Sequence, residues 1–434
     1  MATARQIAYQ ALIKTEKDGA YSNLALDAVL SKSGLDTRDK SFVSNLFYGV
    51  IERQITLDYN LALYLTKPLK KLKTEVLTIM RMGAYQILFM DKVPDSAAVN
   101  ESIKLSKKNG AAYASGLINA VLRKVSATGL SLPQTENKAE YLSVAYSCPV
   151  WLVNKWCSEY GEEDAEMILR ASVGSTDNYI RVNNLKTDSD KLISILADEG
   201  IDTEKTYNEG TLKVNFNGRD IEKLSAYKSG LFHVQDIASQ LCAKALGAKE
   251  NDTVFDLCSA PGGKAYTICE MMNNKGKVLC FDIYDNRVSL IIKGAQRLGL
   301  SSIEGRVGDA SIFNESLGFA DKVLCDVPCS GLGIIRRKPE IRYKKEEELQ
   351  GLPDIQYSII CNASRYVKNG GRMVYSTCTL SKAENEDVCR KFLESHGDFR
   401  SVGVFSQDDE HMKTLMPHKN ESDGFFIACF ERVG

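Results

Sequence analysis

The sequence predicts an α/β fold with a doubly wound, mostly parallel sheet in its C-terminal part, preceded by an all-helical domain and a small α+β domain. In the first 130 residues apolar side chains recur at helical spacing without strand-like alternation. Strand-like and helical patterns mix between residues 165 and 230. From about residue 235 short apolar strands alternate with helical segments, which is typical of a parallel sheet covered on both faces. We therefore divide the chain into helical domain 1–130, linker and helical segment 131–164, α+β domain 165–232 and α/β domain 233–434.

The composition excludes several classes of protein. A hydrophobic fraction of 44% and a charged fraction of 26% over 434 residues are those of a globular chain, not of a disordered or collagen-like one. No apolar run approaches the roughly 20 residues of a membrane span, and the first residues lack a signal-peptide pattern. The 12 cysteines are irregularly spaced without a Cys-x-x-Cys pair. We expect a cytoplasmic protein with reduced thiols, no metal site and no membrane partner, and a monomer because no association seam is visible.

The helical domain carries an excess of positive charge. Residues 1–130 contain 18 Lys and Arg against 11 Asp and Glu, although the whole chain has a net charge of -1. This excess indicates a polyanionic partner, and a solvated helical surface explains it equally well. No catalytic constellation is visible in this domain, which has no histidine.

The remaining strands and helices follow from alternation and from breakers. The α+β domain has strand patterns at Tyr179–Asn183 and Thr211–Phe216. The α/β domain has strand patterns at Thr253–Leu257, Lys277–Asp282, Ile303–Val307, Lys322–Asp326, Arg372–Ser376 and Phe425–Phe430. Helical patterns lie near 264–272, 286–298, 347–367 and 383–395.

A glycine-containing turn follows the first strand of the α/β domain, in the run Asp256-Leu-Cys-Ser-Ala-Pro-Gly-Gly-Lys264. It is neither Gly-x-Gly-x-x-Gly nor a phosphate loop, because Ala265 replaces the residue that would hold magnesium. Asp282 ends the next strand, where a carboxylate commonly binds ribose hydroxyls, and Asp309 follows the third strand. A nucleoside ligand without a pyrophosphate fits best. S-adenosylmethionine is such a ligand, and a dinucleotide is the second candidate.

Two cysteines follow neighbouring strands of the predicted sheet. Cys329 comes after the strand ending at Asp326, and Cys378 comes after the fifth strand. An isolated cysteine is usually a small buried apolar residue, but a thiolate beside a nucleoside site can be a nucleophile. Methylation of cytosine at C5 requires both a thiolate, which attacks C6, and a methyl donor. An acid such as Asp326 eases the attack by protonating or hydrogen-bonding N3. This reasoning leaves open which cysteine attacks.

These residues resemble the RNA (cytosine-5) methyltransferase family. The similarity is carried by Asp256–Lys264, Asp326–Gly333, Ser376–Thr379, Val234–Asp236, and Pro417-His418 with Asp423–Phe426. The whole chain is similar to the bacterial branch that methylates 16S ribosomal RNA. In that branch the N-terminal domain is NusB-like, the middle domain resembles an RNA-recognition module, and the catalytic domain is a Rossmann-like class I methyltransferase.

The resemblance implies a reaction and the residues that perform it. The implied reaction is methyl transfer from S-adenosylmethionine to C5 of a specific cytosine, position 967 of 16S rRNA, through a covalent Cys–C6 adduct. Cys378 would be the nucleophile, Cys329 would assist product release, and Asp326 would act beside them. The implied cofactor-binding residues are Cys258, Ser259, Ala260, Pro261, Gly262, Gly263, Lys264, Asp282, Arg287, Asp309 and Asp326.

A basic loop follows the Pro-Cys motif directly. Residues 336–345 contain six basic residues against Glu340, and a place beside the active-site edge favours contacts with RNA phosphates over a merely solvated loop. The expected contacts are Arg336, Arg337, Lys338, Arg342, Lys344 and Lys345. The expected substrate is 16S rRNA or the pre-ribosomal small subunit. Three further functions stay open at this point: a tRNA methyltransferase, a non-catalytic RNA-binding assembly or antitermination factor, and a dehydrogenase.

Overall fold

The computed structural model of the protein describes residues 3–18, 22–405 and 410–434. The chain forms two compact units. The first comprises Met1–Gly174 and Ile335–Lys344, and the second comprises Ser175–Ile334 and Lys345–Gly434. Among the described residues, no helix has the length and apolarity required to cross a bilayer.

The first unit is helical. Its helices are α1 (Ala4–Asp18), α2 (Ser22–Leu30), α3 (Thr37–Glu52), α4 (Gln54–Ala62), α5 (Thr74–Phe89), α6 (Asp95–Lys108), α7 (Ser115–Thr128), α8 (Lys138–Tyr146), α9 (Val150–Tyr160) and α10 (Glu162–Ala171). Helix α7 shows why these segments are helical, since its buried side chains recur every three or four residues, at Ile118, Val121, Leu122 and Val125. These residues belong to the hydrophobic core of residues 7–125, to which α1–α7 all contribute.

This unit is larger than the predicted helical domain. Helix α10 belongs to it, so residues 165–174, which the sequence assigned to the α+β domain, are part of the helical unit. The reason is that α10 buries Ala165, Ile168 and Leu169 on one helical face, whereas the first strand begins only at Asn178. Segment 335–344 also belongs to this unit, although it follows the Pro-Cys motif in sequence.

The second unit begins with a small antiparallel sheet. Its elements are β1 (Asn178–Val182), α11 (Ser189–Asp198), β2 (Asp202–Lys205), β3 (Thr211–Asn215), α12 (Ser225–Lys228) and β4 (Phe232–Val234). The strand order is β2-β3-β1-β4. The strands β2 and β4 are too short and too polar or irregular to have been predicted from alternation.

The rest of the second unit is the predicted α/β domain. Its elements are α13 (Ile237–Ala245), β5 (Thr253–Asp256), α14 (Gly263–Met271), β6 (Lys277–Asp282), α15 (Asp285–Leu298), β7 (Ile303–Val307), β8 (Ala320–Asp326), α16 (Leu352–Ser364), β9 (Val367–Thr377), α17 (Glu386–Ser395), β10 (Phe399–Ser401), β11 (Met412–Leu415) and β12 (Phe425–Arg432). The strand order is β10-β12-β9-β8-β5-β6-β7, with β11 paired to β12. Strands β5 to β9 are parallel, and β12 is antiparallel to β9. The predicted α/β fold class is therefore confirmed.

Helices cover both faces of this sheet. On β5, Val254 packs in the cluster that contains residues of α13, α14 and α15, and Phe255 packs in the cluster that contains residues of α16 and α17. Neighbouring side chains of a strand point to opposite faces, so the same alternation recurs at Leu324 and Cys325 of β8. Both faces are buried, which explains why the strands appear in the sequence as almost continuous apolar runs.

Candidate active site

The order of the strands creates a crevice between β5 and β8. The chain builds β5, β6 and β7 in one direction and then returns to place β8 and β9 on the other side of β5. Ligands of such sheets bind outside the carboxyl ends of the strands at this switch point. The residues that follow β5, β6, β7, β8 and β9 are therefore the candidate site.

The glycine-containing turn is shaped by close packing between β5 and α14. Gly262 has a φ of +106°, and a Cβ atom there would lie 2.5 Å from the ring of Tyr266. Only glycine fits this position, because both the backbone conformation and the space exclude a side chain. The Tyr266 hydroxyl donates to the carbonyl of Pro261 at 3.0 Å, which fixes the turn further.

The acidic residue after β6 is held in place by an arginine. Asp282 is 5% exposed, and its Oδ2 lies 3.2 Å from Nη1 of Arg287. Arg287 also donates through Nη2 to the carbonyl of Ala260 at 3.1 Å. This arginine therefore ties the carboxylate at the end of β6 to the turn after β5.

The acidic residue after β7 lines a cavity of about 200 Å³. Asp309 accepts hydrogen bonds from the backbone and the hydroxyl of Ser311, and these bonds lower the pKa of its carboxyl group. The cavity walls are mainly apolar and are formed by Leu257, Phe281, Val307, Gly308, Asp309, Ala310, Ile312, Asn314, Leu317, Asn362 and Tyr366. A mainly apolar cavity with a few polar groups at the carboxyl edge has the character of a site for the base of a nucleoside.

Asp256 ends β5 in a different environment. It is 1% exposed, and neither carboxyl oxygen has a hydrogen-bond partner among the described residues. Burial raises the pKa of this carboxyl group to about 7, and the nearby charge of Asp326 adds to the effect. The two aspartates belong to neighbouring strands.

Asp326 ends β8 in a fixed orientation. Its Oδ2 accepts a hydrogen bond from Nζ of Lys264 at 2.6 Å, and its Oδ1 accepts one from the hydroxyl of Ser376 at 2.8 Å. The ammonium group of Lys264 also lies 5.1 Å from the ring centre of Phe425. Asp326 and the other nearby acidic groups raise the pKa of Lys264 despite its burial. The lysine of the glycine turn therefore directs the aspartate at the end of β8.

The structure brings the two predicted cysteines together. The Sγ atoms of Cys329 and Cys378 are 3.3 Å apart. The neighbouring Cys378, burial and the charge of Glu384 raise the pKa of the Cys329 thiol well above its usual value. Two thiolates at this distance would repel each other, so the pair carries at most one negative charge near neutral pH.

A contact between two glycines closes the loop after Cys329. The backbone N–H of Gly333 donates to the carbonyl of Cys378 at 3.0 Å, and Gly424 donates to the carbonyl of Gly333 at 2.9 Å. A Cβ atom at Gly333 would lie 2.0 Å from the Gly424 carbonyl oxygen. This close approach explains glycine at both positions and joins the Pro-Cys loop to the start of β12.

Several residues of this site were not identified from the sequence. Ser376 fixes Asp326, and the buried pair Glu384-Asn385 contacts both cysteine loops. The available signal was that the Glu-Asn pair follows the Thr-Cys motif closely. Within residues 3–18, 22–405 and 410–434, no group of three or more His, Cys, Asp and Glu side chains is arranged to hold a metal ion.

The basic loop divides into exposed and buried residues. Lys338 and Lys345 are exposed, and Arg336, Arg337 and Lys344 are partly exposed. The prediction that Arg342 contacts RNA is wrong in this structure. Its side chain is fully buried in the helical unit, where the guanidinium donates to the carbonyls of Glu52, Tyr146, Ser147 and Ser172. The sequence shows that residue 342 is basic, but it does not show that the side chain points into the helical unit.

Three family models match successive parts of the chain. The NusB family matches residues 2–127, an RsmF/B-like ferredoxin-like domain matches residues 148–215, and the model described as 16S rRNA methyltransferase RsmB/F matches residues 243–431. A Bacillus subtilis protein named "Probable ribosomal RNA small subunit methyltransferase B" is 37% identical over 100% of this chain and 99% of its own length. The chain belongs to the 16S rRNA methyltransferase RsmB/F family. A Synechocystis protein of the same name is 33% identical over the full length of both chains.

Solved structures share the fold of this family member. The crystal structure of PH0851 covers 98% of both chains with a TM-score of 0.82 and 27% identity. That of NSun6 from Pyrococcus horikoshii covers 66% of this chain and 98% of its own, with a TM-score of 0.61 and 23% identity. The inferred resemblance to bacterial 16S rRNA methyltransferases and the Rossmann-like class I methyltransferase fold are thus confirmed.

Proposed function

We propose that the protein transfers a methyl group from S-adenosylmethionine to C5 of a cytosine in 16S rRNA, through a covalent adduct between Cys378 and C6. By family resemblance the target is cytosine 967. The observation that carries the proposal is the pair of thiols 3.3 Å apart at the carboxyl ends of β8 and β9, next to Asp326. We further propose that it acts as a cytoplasmic monomer, on naked 16S rRNA or on the pre-ribosomal small subunit.

The residues of the crevice fit S-adenosylmethionine. Asp282 offers a buried carboxylate oxygen to ribose hydroxyls, and the cavity beside Asp309 offers an apolar surface of suitable size to the adenine ring. Residues Cys258–Lys264 would hold the remainder of the molecule at the N-terminus of α14. When bound, S-adenosylmethionine supplies an electrophilic methyl group.

Cys378 is the better candidate for the attacking thiolate. The resemblance to the RNA (cytosine-5) methyltransferases assigns the attack to the cysteine of the Thr-Cys motif, and a thiol pair that carries one negative charge then leaves the proton on Cys329. The thiolate of Cys378 would then form a bond to C6, which makes C5 enamine-like and able to accept the methyl group. A protonated Cys329 beside it can donate a hydrogen bond to the thiolate.

Asp326 would contact the polar edge of the cytosine. Its two oxygens accept hydrogen bonds from Lys264 and Ser376, so in this arrangement Asp326 is an acceptor. As an acceptor it fits the 4-amino group of cytosine, whereas donation to N3 requires Asp326 to take up a proton when the base binds.

Release of the product requires that the bond between Cys378 and C6 is broken. A base removes the proton from C5, the electron pair of that bond restores the C5–C6 double bond, and the bond between C6 and Cys378 breaks. We propose that Cys329 assists this elimination from its position 3.3 Å away. RNA phosphates would contact Arg336, Arg337, Lys338, Lys344 and Lys345, which position the RNA without selecting the base.

The test is methyl transfer from labelled S-adenosylmethionine to unmodified 16S rRNA, with bisulfite sequencing to locate 5-methylcytosine. We expect one methylated cytosine. Transfer to tRNA but not to 16S rRNA would retain the reaction and replace the substrate.

A non-catalytic RNA-binding factor and a dehydrogenase would each give a different result. Binding of RNA without transfer to any RNA would favour the assembly or antitermination factor. Stabilisation against heat by a nicotinamide dinucleotide, but not by S-adenosylmethionine, would favour the dehydrogenase.

A further inference from the structure

Two adjacent polar residues are buried directly behind the cysteine loops. Glu384 is 1% exposed and Asn385 is fully buried, and they lie between the Thr-Cys motif and α17. Asn385 precedes α17 but makes no side-chain capping bond to it. Their side-chain hydrogen bonds go to the two cysteine loops and to Gln356 of α16.

Glu384 holds the residues on both sides of Cys329. Its carboxylate accepts from the backbone N–H of Ser330 at 2.8 Å and from the Ser330 hydroxyl at 2.6 Å. It also accepts from Nε2 of Gln356 at 2.9 Å, and the same nitrogen donates to the carbonyl of Pro328 at 3.0 Å. The residue before Cys329 and the residue after it are therefore fixed through one buried carboxylate.

Asn385 holds the residues on both sides of Cys378. Its Oδ1 accepts from the hydroxyl of Thr377 at 2.6 Å, and its Nδ2 donates to the carbonyl of Thr379 at 3.0 Å. The side-chain amide thus bridges the residue before the cysteine and the residue after it. Adjacent residues in the chain therefore support different cysteines.

The two supported loops are also joined to each other. The hydroxyls of Ser330 and Thr379 share a hydrogen bond at 2.6 Å. A displacement of either loop would change the distance between the thiols. Reacting groups must be held to within fractions of an ångström for efficient catalysis, so this network sits where precision matters.

Packing alone does not require these polar groups. A buried carboxylate is unfavourable unless donors surround it, and apolar residues of similar volume are often at least as stabilising as buried charged groups. Glu384 receives three donors, two from Ser330 of the Pro-Cys loop and one from Gln356 of α16, which also donates to Pro328. The specific contribution of the carboxylate is therefore the orientation of the Pro-Cys loop.

We propose that Glu384 and Asn385 are positioning residues with separate tasks, in which Glu384 places Cys329 for product release and Asn385 places Cys378 for attack on C6. This inference rests on the proposed cytosine-5 methyl transfer. It predicts that the two neighbouring positions give opposite kinetic defects.

The experiment compares Glu384→Gln and Asn385→Asp, which preserve volume and change one hydrogen-bonding atom each. The exposed Asp387→Asn on α17, whose carboxylate is 58% exposed, is the matched control. Single-turnover reactions with labelled S-adenosylmethionine and 16S rRNA give the rate of methyl transfer. Denaturing gels give the covalent protein–RNA adduct, and thermal unfolding reports the fold.

Glu384→Gln should accumulate the covalent adduct roughly tenfold or more, with methyl transfer in the first turnover nearly unchanged. Asn385→Asp should slow methyl transfer roughly tenfold or more without accumulating adduct. Asp387→Asn should behave as the wild type. If an isosteric variant fails to fold, Gln356→Met instead removes a hydrogen bond to Glu384, and Thr377→Val removes a hydrogen bond to Asn385.

Equal slowing of both steps in both variants, or wild-type kinetics in either, would overturn the separate tasks. Failure of the wild type to methylate cytosine in any RNA would instead overturn the proposed function. The wild-type reaction therefore tests the proposed function, and the rates of the variants relative to the wild type test the separate tasks of Glu384 and Asn385.

Discussion

The Pro-Cys loop and the Thr-Cys loop end neighbouring parallel strands and present thiols 3.3 Å apart, yet they differ in their supports. Cys378 follows β9 directly, and the chain turns back at once towards α17. Cys329 lies in a longer loop whose continuation, residues 335–344, belongs to the helical unit. The pKa of Cys329 is raised well above that of an ordinary thiol. Two residues of the same type therefore lie side by side in loops that are held by different parts of the chain.

The largest expected difference separates the two cysteines themselves. Cys378→Ala should reduce methyl transfer on the order of 10³-fold or more, because it removes the only bond that activates C5. Single-turnover transfer to 16S rRNA measures this effect. If Cys329→Ala abolished transfer and Cys378→Ala retained it, the two roles would have to be exchanged.

A second variant tests the aspartate that ends β8, next to the two cysteine loops. Asp326→Asn should lower the rate of methyl transfer on the order of 10²-fold, because the amide cannot provide the carboxylate's charge or exchange a proton. Thermal unfolding should show a folded protein. Asp321→Asn, at the other end of β8, is the matched control because its carboxylate pairs with Lys368 away from the site. Equal losses in the two variants would exclude a specific role for Asp326.

A third variant tests the continuation of the Pro-Cys loop. Arg342→Ala should reduce the free energy of unfolding by about 2 kcal/mol, because buried carbonyls lose their donor. Lys338 is exposed, so Lys338→Ala should change the free energy of unfolding by less than about 0.5 kcal/mol. It should weaken RNA binding, and the slope of the logarithm of the binding constant against the logarithm of the salt concentration should fall by about one. Chemical denaturation and salt titration of RNA binding measure the two effects. Unchanged stability of Arg342→Ala would contradict its structural role.

A smaller effect than that of Arg342→Ala is expected at Asp256, which ends the strand next to Asp326. Its folded-state pKa of about 7 lies above the ordinary value of 3.8, so the folded protein retains a proton that the unfolded chain has lost. The resulting stabilisation is full below about pH 4 and disappears as the pH rises through 7. Between pH 6 and pH 8 the free energy of unfolding of the wild type should fall by about 1.4 kcal/mol more than that of Asp256→Asn. Parallel pH dependences of the two proteins would show that Asp256 ionises normally.

The sequence was most informative about residues whose position follows from the topology of the sheet. The alternation of strands and helices put five residues at or just after strand ends, and the structure places them at the carboxyl edge of one sheet: Asp282, Asp309, Asp326, Cys329 and Cys378. Parallel strands linked by helices share that edge, so position in the sequence was sufficient. The family resemblance added which cysteine attacks, a role that remains a proposal.

The sequence was least informative where the direction of a side chain decides its role. Arg342 and Lys338 are both basic residues of one loop, but one is buried against carbonyls and the other is exposed. Glu384 meets Ser330 across 54 residues, which no local pattern could indicate. Helix α10 groups with the helical unit in the structure, whereas the sequence places it in the α+β domain, because its amphipathic pattern suits either domain.

The most direct test of the proposed roles is to map the covalent adduct that Cys329→Ala forms with 16S rRNA and S-adenosylmethionine. The adduct would be isolated under denaturing conditions, digested with ribonuclease and trypsin, and analysed by mass spectrometry. We predict a methylated cytosine attached to the peptide that contains Cys378. Attachment to another residue, or continued methyl transfer by Cys329→Ala without any adduct, would contradict these roles.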